Sequence, residues 1–132
     1  MNHFDRIYQD ENFIVKELVG EKIEQLLGVV MDNEADNYPM IINLKTTHKP
    51  WQRFFHDAGI AFWEQWETLV DESGDNDRFV DYGKQFELEG KIISLIECIN
   101  SKITIDIQDS GQLIFECIEY DGESEIKFIP NR

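Results

Sequence analysis

Ile103-Thr-Ile-Asp-Ile-Gln-Asp-Ser-Gly-Gln-Leu-Ile-Phe-Glu-Cys-Ile-Glu-Tyr120 decides the fold class. Ile103, Ile105 and Ile107 alternate with Thr104, Asp106 and Gln108, a period of two that places one set of side chains on a buried face and the other in water. Asp109-Ser110-Gly111 supplies residues that tolerate a left-handed backbone, so the chain can reverse there. The β-branched and aromatic run Gln112 to Tyr120 follows, and Asp121-Gly122 offers a second turn before Ile126 and Phe128 flank Lys127. Strands joined by such compact turns are antiparallel, because a parallel pair needs a long crossover. The C-terminal third is therefore read as an antiparallel meander.

The same period extends upstream, where Phe86, Leu88 and Ile92 alternate with Glu87, Glu89 and Lys91 and read as another strand. Met40 to Leu44 is a strand candidate behind Pro39, whose missing N–H suits a strand start. Phe13 to Val19 is apolar and β-branched, and Gly20-Glu21 can turn. Ile23, Leu26, Leu27 and Val30 fall at helical spacing, so a helix over 20–31 competes with a strand. Between Pro50 and Val70, Trp51, Phe54, Phe55, Ala58, Phe62, Trp66 and Leu69 trace a helical stripe. Ile60, Ala61 and Trp63 lie off that stripe, and Gly59 sits inside it at about 1 kcal/mol. Its aromatics and the Asp57-Ala58-Gly59 tripeptide tilt the reading toward a hairpin. The three tryptophans are assigned to the core. The expected fold is mainly β, an antiparallel sheet with a C-terminal meander and at most one or two helices, which would make it α+β.

A chain of 132 residues with 42% hydrophobic and 12% aromatic residues suffices for one globular domain over 1–132. Twenty-seven acids against twelve bases leave a formal net charge of −15. That surplus repels itself, and it draws cationic partners while opposing nucleic acid and anionic membrane. The N-terminus lacks the basic and apolar regions of a signal peptide, and Cys98 and Cys117 sit in apolar surroundings as expected of reduced thiols. A cytoplasmic location is the expectation.

Catalytic motifs are weak. The histidines at 3, 48 and 56 are scattered, no nucleophile elbow or phosphate loop is present, and 27 acids make any carboxylate pair uninformative. A calcium loop starting at Asp32 would place Asn37 and Asn43 at its sixth and twelfth positions, and one starting at Asp71 would place Asn76 and Tyr82 there. The geometry needs glycine and glutamate at those positions, so neither run fits. No catalytic residue, cofactor or metal is assigned.

The surface offers more. Asp32, Glu34 and Asp36 cluster beside Tyr38, and Asp71, Glu72, Asp75, Asp77 and Asp81 cluster beside Tyr82. Aromatic anchors ringed by charge are the usual make-up of a protein contact, and these ten residues are the candidate partner-binding set. Phe79 is a further anchor candidate.

With Trp51-Gln-Arg-Phe-Phe-His-Asp-Ala-Gly-Ile-Ala-Phe-Trp-Glu64 in view, the chain resembles a small bacterial immunity protein of the class encoded beside contact-dependent-inhibition and other polymorphic toxins. The likeness is one of character: a compact, acidic, aromatic-rich chain without catalytic motifs. It implies a basic toxin domain as partner, often a nuclease, whose active site the immunity protein covers. Two other expectations compete with it: a mimic of nucleic-acid charge that blocks a DNA-binding enzyme, and a small accessory or scaffold domain.

Overall fold

A computed structural model describes residues 4–69, 76–118 and 123–131. Among the described residues, eleven strands form two antiparallel sheets: β1 (Phe4–Asp10), β2 (Phe13–Ile14), β3 (Ile23–Met31), β4 (Ile41–Thr46), β5 (Trp51–Asp57), β6 (Ile60–Trp66), β7 (Asp77–Asp81), β8 (Ile93–Ile99), β9 (Lys102–Ile107), β10 (Gly111–Cys117) and β11 (Ser124–Pro130). The six-stranded sheet runs β1-β6-β5-β4-β3-β7 and the five-stranded sheet β11-β10-β9-β8-β2. Each sheet is a consecutive meander, β3 to β6 in one and β8 to β11 in the other. β1 and β2 part at Glu11-Asn12, so that one chain segment seals an edge of each sheet. No helix of the described residues is long and apolar enough to cross a membrane.

One core serves both sheets. Leu26, Val30, Ile42, Leu44, Phe54 and Trp63 from the larger sheet join Ile96, Ile103, Ile105, Leu113, Phe115 and Ile126 from the smaller. The C-terminal meander pairs as its alternation requires, with Ile105 opposite Leu113 and Phe115 opposite Ile126. Gly111, at φ 149°, is needed there because a Cβ would lie 2.2 Å from the Ile129 carbonyl oxygen. The Asp121-Gly122 turn lies outside the described residues.

Residues 51–66 form a hairpin. Asp57 pairs with Ile60 across a two-residue loop in which Ala58 and Gly59 both have positive φ, the turn whose twist matches its strands. Ile23 to Met31 is a strand and not a helix, its apolar residues being divided between the two faces. Two readings need correction. The strand placed over 86–92 is instead a turn. A four-residue helix α1 (Tyr82–Gln85), capped by the Asp81 carboxylate on the Lys84 N–H, precedes it, and Glu87 and Gly90 reverse the chain with φ of 56° and 84°. The alternation arises because Leu88 plugs the core from that turn. Phe13 to Val19 contributes two strand residues and then a 3-10 turn over Lys16–Leu18.

Candidate functional site

The connection from β3 to β4, residues 32–40, carries the first acidic cluster, and backbone hydrogen bonds shape it before any side chain acts. Glu34 N–H donates to the Met31 carbonyl at 3.0 Å, Tyr38 N–H to Ala35 at 3.1 Å, and Met40 N–H to Val29 at 2.8 Å. β7 runs beside β3 with Asp77 opposite Met31, so this acid, distant in sequence, arrives beside the loop, whereas Asp81 lies opposite Leu27, four residues back along β3, and caps α1. Asp32 N–H donates to the Asn76 carbonyl at 2.8 Å and ties the loop to the start of β7.

Three side-chain and main-chain clamps then fix it. Arg78 donates from Nη1 to the Met31 carbonyl at 2.8 Å, and from Nη2 to the Glu34 carbonyl at 3.0 Å and the Asp36 carboxylate at 2.5 Å. The planar guanidinium suits this fork, which a lysine could not reproduce. The Tyr82 hydroxyl donates to the Asp36 carbonyl. On the other side, the Asn37 carbonyl accepts from the Ile126 N–H at 2.9 Å, which joins the loop to β11 of the second sheet. The loop thus bridges both sheets at one end of the molecule.

The expected contact residues divide accordingly. Asp32 and Asp36 are exposed, and Glu34, Tyr38, Asp77 and Asp81 are half-buried. Asp71, Glu72 and Asp75 lie outside the described residues. Tyr82 is corrected: it is fully buried and no surface anchor. Its ring fills the space over Gly28, where a Cβ would stand 2.1 Å from Cε2. Burial first, and then the Asp36 charge, push its phenol well above the ordinary value, so it stays a hydrogen-bond donor. Beside the loop, Met31, Tyr38, Pro39 and Met40 floor an open cleft of about 350 Å³, with Glu34, Glu123 and Ser124 at its walls.

Cys98 and His56 sit in structural contacts. The Cys98 thiol is pushed up to about 12 by burial, which keeps it protonated and unreactive. His56 Nε2 lies 2.6 Å from the Ser101 carbonyl and must carry the proton there. Nδ1 is then the acceptor for the Ser124 hydroxyl at 2.9 Å, a pair that links β5 to β11. Among the described residues, no group of three or more potential ligands could hold a metal ion.

A second surface was missed by sequence reasoning. Trp63 belongs to the core, whereas Trp51 and Trp66 face outward from the six-stranded sheet. Phe4 stacks on Trp66 at 4.3 Å and Phe55 on Phe62 at 4.8 Å. Arg6 lies over Phe62, and Arg53 over Phe55 and Trp66, at 5.0, 5.8 and 5.3 Å. Glu64, its side chain 4% exposed, accepts from Arg6 Nε at 2.9 Å and Nη2 at 2.6 Å, and from the Trp66 indole at 3.0 Å. The signal for this face is the loss of polar alternation over 51–66, where both faces of the hairpin are apolar. Comparisons of the chain with family models, with curated proteins and with solved structures found no match.

Proposed function

We propose that this protein is an inhibitor that acts by binding: an immunity-type protein that neutralises a basic toxin domain by laying its acidic loop over the toxin's active site. The observation that carries the reading is the clamping of residues 32–38 by Arg78, Tyr82 and Ile126. A loop held in place before encounter loses little entropy on binding, so its carboxylates act as a preformed acceptor set. A lysine or arginine of the partner can rest its stem on Tyr38, Pro39 and Met40 and bring its charged head to Glu34 and Glu123. The net charge of −15 speeds that encounter and makes it sensitive to salt.

The test is co-expression with the product of the gene encoded immediately upstream. Growth rescue and co-elution of the two proteins are expected. Asp32→Asn, Glu34→Gln and Asp77→Asn combined should weaken the complex at least tenfold at low salt, by titration calorimetry, and less at high salt. Rescue without any complex, or an unchanged Kd in the triple variant, rejects the loop as the contact.

A further inference from the structure

We propose that the far edge of β1, with the groove beside it, is a docking site for an extended basic segment of a partner protein, which adds a strand to the six-stranded sheet. β1 pairs with β6 alone, and among the described residues no backbone hydrogen bond reaches its other side over residues 6–10. Every residue of the strand except Ile7 is exposed. The outer face of the same sheet is the contrast, since Val29, Asn43 and Phe62 are nearly buried there. The remaining edges offer less. β2 is two residues long, β7 has Arg78 turned into the acidic loop, and the Ile126 N–H of β11 is taken by the Asn37 carbonyl. A long edge open to pairing is the template that strand addition uses.

A groove of about 790 Å³ runs between β1 and the segment that carries β2. Tyr8, Ile14 and Ile99 line it and are 45, 48 and 53% exposed. The Tyr8 ring is braced from below, stacked on Phe13 at 5.3 Å and on Trp63 at 5.9 Å, so this wall is preformed. Apolar side chains gathered along one groove mark a contact surface, which scattered ones do not. A strand laid on β1 sends every second side chain to the groove side, so the groove selects apolar residues at alternate positions.

Charge selects the occupant. Glu17 and Glu97 line the groove against Lys16, Asp10 and Glu11 stand at the end of β1, and Arg6 is held by Glu64. The register shift between Arg6 and Tyr8 makes a bulge, which, like edge charges, guards against pairing with a like strand. A second copy would bring the same kink and a further charge of −15. A segment that alternates apolar residues with lysine or arginine meets no such repulsion and satisfies both groove and acids. The site lies across the sandwich from the acidic loop, which bridges the β3 and β11 sides.

The probe is an octapeptide of alternating lysine and valine, capped at both ends and titrated into the isotope-labelled full chain. Amide shifts should centre on β1 and on residues 12–17 and 97–99, and amide exchange over residues 6–10 should slow. Binding should weaken roughly tenfold between low and high sodium chloride. A strand presents the amides of alternate residues to one neighbour. Methylating the backbone nitrogens of either the lysines or the valines should therefore abolish binding, while methylating the other set leaves it intact. Ile14→Ser combined with Ile99→Ser should weaken the peptide roughly fivefold, and Ile129→Ser, on β11, should match the wild type. Near-UV circular dichroism verifies folding. The combined Asp32→Asn, Glu34→Gln and Asp77→Asn variant should bind the peptide at β1 as the wild type does, which separates failure here from failure of the proposed function. Equal effects of the two methylations, shifts confined to the acidic loop, or no shift in β1 overturns the proposal. Protection of residues 6–10 that grows with protein concentration in the absence of peptide would give the edge to a second copy and overturn it as well.

Discussion

His56 is 8% exposed between the sheets and bonds through both ring nitrogens, one to the Ser101 carbonyl and one to Ser124. Burial lowers its pKa from the ordinary 6.5, outweighing the Ser101 carbonyl and the Glu116 charge, which both favour the cation. The folded state thus holds the ring neutral, while the unfolded chain takes up a proton near pH 6.5. Stability from this residue is fully present above that pH and is lost as pH falls through it toward the folded pKa. The slope approaches about 1.4 kcal/mol per pH unit while only the unfolded state is protonated. Urea unfolding at neutral and mildly acidic pH should show that decline, and His56→Gln should flatten it; equal slopes would remove the ring from the account. Gly28 is a second position where one atom matters. An added Cβ must displace the Tyr82 ring, so Gly28→Ala should cost about 1–3 kcal/mol. The amides of Glu34 and Tyr38 should then exchange faster as the Tyr82 clamp on Asp36 lengthens. Protection equal to the wild type would show that the ring shifts without releasing the loop. No sequence reading could separate Tyr82 from Tyr38 as an anchor, because the difference rests on which strand β7 joins.

Among the elements, the hairpin of β5 and β6 shows what the sequence discloses and what it hides. Asp57-Ala58-Gly59 was legible as a turn, yet Ala58 at φ 54° is an unusual occupant of a position that favours asparagine. Ala58→Asn should stabilise the protein by about 0.5–1 kcal/mol in denaturant unfolding without altering the fold. No gain would mean that the crossing bond from the Ser101 hydroxyl to the Gly59 carbonyl already sets the turn. The meander of β9 to β11 was legible because its isoleucines face a core while polar residues take the other side. Phe86 to Ile92 shares that alternation for a different reason: Leu88 enters the core from a turn, and period two cannot distinguish a strand from a plug beside Gly90. Trp51 and Trp66 were misplaced because hydrophobicity reports exclusion from water without naming the face. The acidic loop could be named residue by residue, but its rigidity could not, since Arg78 and Ile126 reach it through tertiary contacts.

For the whole molecule, the surplus of negative charge works against compactness. Twenty-seven acids on a chain of 132 residues raise the free energy of any compact state, and screening relieves the folded form more than the expanded one. Added sodium chloride should therefore raise the stability of the isolated chain, a gain of about 1 kcal/mol appearing as roughly 4 °C in Tm. A Tm that rises with salt shows the relief of self-repulsion. If the Tm instead falls with salt, native ion pairs such as Arg6–Glu64 and Arg78–Asp36 outweigh the repulsion. The surplus acids would then be locally compensated, leaving the acidic loop with little field to offer a basic partner.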